Sequence, residues 1–179
     1  MAGERRAPLL SSIERAMTEA QGQGTIFGNA VAERLGLSST ELETLGLLQV
    51  RGPLSAGAIS RSTGLTTGAV TRMVDRLVST GWVTRRENPQ DRRGVLIELT
   101  SGARKKSAPF YGPMARATRE VLASYSEKEL ELMLGLLTRL RDVGIAETER
   151  IMAMPERVSG TRKVNIKARV LGQKIRIRF

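Results

Sequence analysis

Two short apolar stripes at helical spacing stand between residues 54 and 81, joined only by Thr63-Gly64-Leu65-Thr66. The first, with Leu54, Ala58 and Ile59 inward, predicts a helix from about Ser55 to Thr63. Thr66 is suited to cap the second, whose Val70, Val74, Leu77 and Val78 face inward until Thr80-Gly81 stops it. Two helices joined by three or four residues around a glycine form a helix-turn-helix. After Gly81 the period falls to two. "WVTRR" and "GVLIELT" read as strands, with Val95, Ile97 and Leu99 on one face, and "ENPQDRR" between them reads as a hairpin loop. The expected fold class is therefore mainly α with a small β-hairpin wing, a winged helix-turn-helix.

The flanks are helical. Leu9, Leu10, Ile13, Met17 and Ala20 form one stripe, "GQG" at 22–24 is expected to break it, and Phe27, Val31 and Leu35 resume the spacing up to Gly36. Ser38 with Glu41 has capping-box spacing and opens a helix through Leu42, Leu45 and Leu48 to "RGP". Thr100 caps a segment to about 124, expected to kink or break at Pro109 and Pro113. Ser126 and Glu129 repeat the capping box before a helix bearing Leu130, Met133, Leu134, Leu137 and Leu140, widened by Leu132 and Leu136. Met114, Met133, Met152 and Met154 read as helix-core filling, and Trp82 as a core residue of the wing. The stripes at 9–20 and 126–152 lack an obvious partner within so small a domain. Leu9, Leu10, Ile13 and Met17, with Leu130, Leu134, Leu137 and Leu140, are therefore expected to pair two chains. The organisation read is N-terminal dimerisation helices at 1–36, the winged helix-turn-helix at 37–100, C-terminal dimerisation helices at 101–155 and a basic tail at 156–179.

Composition narrows the chemistry. The chain has no Cys and no His, which removes disulfides, thiol nucleophiles, the usual zinc ligands and the commonest general base. No pair of acids stands out from solvated helix faces, so neither an enzyme nor a metal site is expected. No run approaches the ~18 apolar residues of a membrane span. "MAGERRAPLLSSIERAMTEA" is not a signal peptide, and a cytoplasmic location is expected. Of the net charge of +11, the tail supplies +7, from eight Lys/Arg against Glu156. The tail's alternation suits strands as well as an unstructured basic arm. Because the remainder is nearly balanced, nucleic-acid binding by the body has to rest on pattern rather than bulk charge.

That pattern is present. The non-core positions of 66–76 are Thr66, Thr67, Gly68, Thr71, Arg72, Asp75 and Arg76. Small hydroxyls let a backbone approach phosphate, the helix N-terminus favours an anion, and Arg72 and Arg76, four apart, can reach guanine or phosphate. Asp75 is expected to orient Arg72 or Arg76. Residues 64–103 use Arg and no Lys. A planar, weakly hydrated guanidinium suits a narrow minor groove, which fits Arg86, Arg92 and Arg93 in the wing.

The stretch "AISRSTGLTTGAVTRMVDRLVSTGWVTRRENPQDRRGVLIELTSGA" resembles the MarR-type winged-helix transcriptional regulators. Asp91 and Arg93, followed by Leu99-Thr100 and Gly102, look like the family's wing signature, and the likeness covers roughly 25–150. It implies a bacterial, homodimeric repressor that binds double-stranded DNA at a pseudo-palindromic operator. Asp91 would hold the wing loop by pairing with an Arg. It implies no cofactor but a small anionic or lipophilic effector bound between the winged helix and the dimer helices. Two other readings compete with it: a non-specific nucleoid protein driven by the basic tail, and a winged-helix adaptor whose Arg face meets an acidic protein.

Overall fold

Glycines and hydroxyl caps punctuate the chain much as the sequence predicts. The structure, a computed structural model, describes the backbone of residues 2–89, 91–154, 167–170 and 173–176, and the side chains of 5–89 and 94–154. Helix α1 (Ala2–Leu35) ends at Gly36, whose φ of 65° lets Gly36 N–H reach Glu33 O and Leu37 N–H reach Ala32 O. This is a Schellman stop. The Gly22-Gln23-Gly24 stretch does not break α1, contrary to expectation. Each helical glycine costs only about 1 kcal/mol relative to Ala, which good helix formers on either side can offset.

Ser38 caps α2 (Ser39–Arg51) in a complete capping box: Glu41 N–H donates to Ser38 Oγ, and Ser38 N–H donates to Glu41 Oε2 at 2.8 Å. A two-residue strand that the sequence did not reveal, β1 (Leu54–Ser55), precedes α3 (Ala56–Thr63). Gly64, left-handed at φ 71°, closes α3 by donating to Ser60 O and turns the chain into α4 (Thr67–Ser79). Gly81 then repeats the Schellman stop, with Trp82 N–H donating to Leu77 O at 2.8 Å.

The wing is longer than expected. β2 (Val83–Asn88) and β3 (Asp91–Leu99) pair antiparallel, with Asn88 opposite Asp91, an irregularity at Glu87/Asn88, and β1 on the far side of β3. Only residues 89–90 connect the strands, so most of "ENPQDRR" is ladder rather than loop. Backbone pairing does not require apolar side chains, and an exposed wing can therefore extend through charged residues. Val95 shows the same extension: Ile97 is buried and Leu99 half-buried, whereas Val95 lies beyond the core and is exposed.

Thr100 caps α5 (Ser101–Leu122), an uninterrupted helix through Pro109 and Pro113. Ser126 opens α6 (Glu127–Met152), and its hydroxyl and N–H, both donating to Glu129, hold that carboxyl below its ordinary range. Strands β4 (Lys167–Val170) and β5 (Gln173–Arg176) pair antiparallel; the rest of the basic tail read at 156–179 lies outside the described residues. The chain divides into two units, Met1–Glu131 and Leu132–Phe179.

The core of the first unit joins Leu45 and Leu48 of α2, Ile59 of α3, Val70, Val74 and Leu77 of α4, and Trp82, Val83 and Ile97 of the wing. Trp82 is thus the core residue that the sequence suggested. No residue of α6 is buried, and Met114, Met152 and Met154 are exposed rather than core-filling. Leu9, Leu10, Ile13, Leu134 and Leu137 are exposed, while Met17, Leu130 and Leu140 are half-buried. Among the described residues no helix is long and apolar enough to cross a membrane.

Candidate nucleic-acid interface

The apolar side of α4 is closed off in the core, so its other side is left to solvent. Val70 and Leu77 are fully buried, whereas Thr66, Thr67, Gly68, Thr71, Arg72, Asp75 and Arg76 are exposed. At the N-terminus Thr66 Oγ1 accepts from Ala69 N–H at 3.3 Å, and Val70 N–H donates to Thr66 O. Thr67 and Gly68 lie in the first turn, whose amides have no intrahelical acceptor, so this end of the helix favours an anion through both its N–H groups and its dipole. Thr71 Oγ1 donates back to Thr67 O at 3.0 Å. A Cβ built on Gly68 would meet nothing nearer than the mobile end of Arg72, at 3.9 Å.

The basic side chains are not equivalent. Arg72 has no hydrogen bond or ion pair among the described residues. Arg76 Nη1 donates to both carboxylate oxygens of Glu41 at 2.8 Å, and its Nη2 donates to Gly36 O at 3.0 Å. Asp75, expected to orient Arg72 or Arg76, is instead bound by Arg85 of β2 at 2.6 Å. Residues 72 and 76 lie on its own helix, but Arg85 is brought opposite by the turn of the chain at Gly81. Arg86 pairs with Glu98 across the β2–β3 ladder at 3.0 Å. Asp91, Arg92 and Arg93 belong by backbone to β3, and their side chains lie outside the described residues.

Glu41 was legible only as a capping residue. A further signal was available, because Glu41 falls on the same inward stripe as Thr44, Leu45 and Leu48, and a carboxylate on a buried stripe demands a cation. Lys106 of α5 was also missed: its Nζ donates to Thr80 O at 3.0 Å and stands 4.8 Å from the centre of the Trp82 ring.

A cavity of about 430 Å³ opens between the end of α1, α2, the wing and α5, walled by Leu35, Leu42, Leu45, Trp82 and Leu99, with Arg104 and Tyr111 among its polar lining. Burial pushes the Tyr111 hydroxyl above its ordinary pKa, and the ring meets Phe27 edge-on at 5.5 Å.

A helix-turn-helix whose second helix is exposed along one side and runs straight into an antiparallel wing defines a winged-helix DNA-binding protein. A model of the MarR family matches residues 37–95. The chain is 36% identical over 126 residues to the uncharacterized HTH-type transcriptional regulator YcgE of Bacillus subtilis, across 70% of this chain and 82% of that one. It is 31% identical to YdgJ of the same organism, across 68% and 74%. Among solved structures, the transcriptional regulator Tm0710 from Thermotoga maritima superposes with a TM-score of 0.55 at 21% identity, covering 81% of this chain and 99% of that one. The chain belongs to the MarR family of transcriptional regulators.

Proposed function

We propose that the protein is a homodimeric repressor that binds a pseudo-palindromic operator in the cytoplasm and responds to a small effector. The observation that carries this reading is the exposed surface of α4, where Thr66, Thr67, Gly68, Thr71 and Arg72 face solvent together and Arg72 has no hydrogen bond or ion pair among the described residues. Arg92 and Arg93 would enter the minor groove beside it, with Asp91 holding the wing by pairing with an Arg. Pairing of two chains is supported by the apolar faces of α1 and α6, with Leu134 and Leu137 exposed by 68% and 64%. A two-fold dimer would set two recognition helices about one turn of DNA apart. The cavity suits a small lipophilic or anionic molecule, with Arg104 the one cation on its wall among the described residues.

The test is selection of duplexes from a random pool, followed by binding at two salt concentrations against random competitor, with and without residues 156–179. A palindrome bound independently of the tail is expected. Binding that follows the tail and ignores sequence would establish the non-specific reading instead, and no binding even at low salt would favour the adaptor. With the selected duplex, Arg72→Ala should cost about 1–3 kcal/mol per half-site and relax preference at one base pair of each. An unchanged preference would remove Arg72 from base reading.

Gly68→Ala separates binding from folding. The added methyl has room and stiffens the helix, so the thermal midpoint should rise with a gain of roughly 0.5–1 kcal/mol. Operator affinity should fall, because the methyl stands where the backbone meets phosphate. Unchanged affinity would show that DNA keeps its distance from the first turn of α4.

A further inference from the structure

Arg72 and Arg76 stand one turn apart on α4, and the pattern of the sequence treats them alike. Their surroundings do not. The Glu41 carboxylate that holds Arg76 is only 3% exposed and also accepts from Ser38 N–H and from Ser38 Oγ. A carboxylate so enclosed is costly without its cation, so the pair persists as a unit. Through it α4 is tied to a residue 35 positions away in sequence and, by the Gly36 carbonyl, to the end of α1. On the other flank the Asp75–Arg85 pair ties α4 to the wing.

We propose that Arg76 is a positioning residue rather than a base reader: clasped by Glu41, it sets the angle and depth at which α4 enters the groove, leaving base reading on this face to Arg72. The inference rests on the operator-binding reading above. Glu41 shares the role, since a guanidinium without its clasp would swing toward the nearest phosphate and take the helix off register.

The experiment uses the full chain and the duplex selected from the random pool, with a scrambled duplex as reference, and four variants: Glu41→Gln, Arg76→Gln, Arg76→Lys and the Glu41→Gln/Arg76→Gln double. Glutamine at position 41 keeps the capping box, and the double variant leaves no buried charge unpaired. Glu41→Gln and Arg76→Gln should each lower the selected-to-scrambled affinity ratio about 10-fold, and the double variant no further than either alone. Arg76→Lys, which keeps the charge, should recover part of the ratio. The salt dependence of binding should remain that of the parent in every variant, because no phosphate contact is removed.

A salt slope that falls by about one for each recognition helix in Arg76→Gln, with Glu41→Gln neutral, would make Arg76 a DNA contact and overturn the inference. So would variants that melt at lower temperature while the affinity ratio holds, since the clasp would then only stabilise the fold. A selected duplex bound alike by all four variants would overturn this inference alone. Failure of the parent chain to prefer any duplex would overturn it together with the operator reading.

Discussion

Leu134→Asp/Leu137→Asp is expected to yield a folded monomer with almost no operator affinity. Both leucines lie on α6, a helix with no buried residue, and neither belongs to the core that joins α2, α3, α4 and the wing. Unfolding of the winged helix should therefore proceed as in the parent, while two charges per chain face whatever covers that stripe. In a dimer, once one recognition helix has docked, the second meets its half-site at an effective concentration set by the linkage. Losing that linkage removes about 10²- to 10⁴-fold in affinity. Sedimentation velocity reads the assembly, and titration of the selected duplex reads the binding. A variant that still sediments as a dimer would place the interface elsewhere.

Leu77→Ala should be the most damaging single truncation in the core. Leu77 is fully buried, belongs to the core shared with Trp82, Val83 and Ile97, and supplies the carbonyl that accepts Trp82 N–H where α4 ends. Truncation leaves a cavity in a close-packed site, at a cost of about 2–5 kcal/mol. Set against a total stability of roughly 5–15 kcal/mol, that is a large share, readable as a lower urea midpoint at unchanged slope. A loss below about 1 kcal/mol would mean that the site collapses around the missing methyls.

The features legible in the sequence are those whose cause is local. Ser38 with Glu41, Thr66, Thr100 and Ser126 each announce a helix start because the capping partner lies three residues on. Gly36, Gly64 and Gly81 announce the stops because only a residue at ease with positive φ closes a helix that way. The exposed side of α4 followed from its inward stripe. What escaped depends on distant parts of the chain. Asp75 finds Arg85 and Arg76 finds Glu41 only after the helix-turn-helix has folded back on α2 and the wing has turned beside α4. β1 is too short to show a period and exists because β3 offers it an edge. The glycines at 22 and 24 were overweighted, since a breaker signal counts the local cost and ignores the helix formers on both sides.

The position of Trp82 has a practical consequence. It is the only tryptophan in 179 residues, so the near-ultraviolet emission selected by long-wavelength excitation reports from one place. That place is the cavity wall, under the ammonium of Lys106, whose other attachment is the last carbonyl before the Gly81 stop of α4. The effector proposed for the cavity would change the ring's solvent and quenchers on entering. A tilt of α4 on the proposed operator would change the distance of a positive charge from the same ring. Under the proposed function, the unlabelled protein would carry one optical gauge for both events, and titrating either partner in the presence of the other would read their coupling from a single emission band.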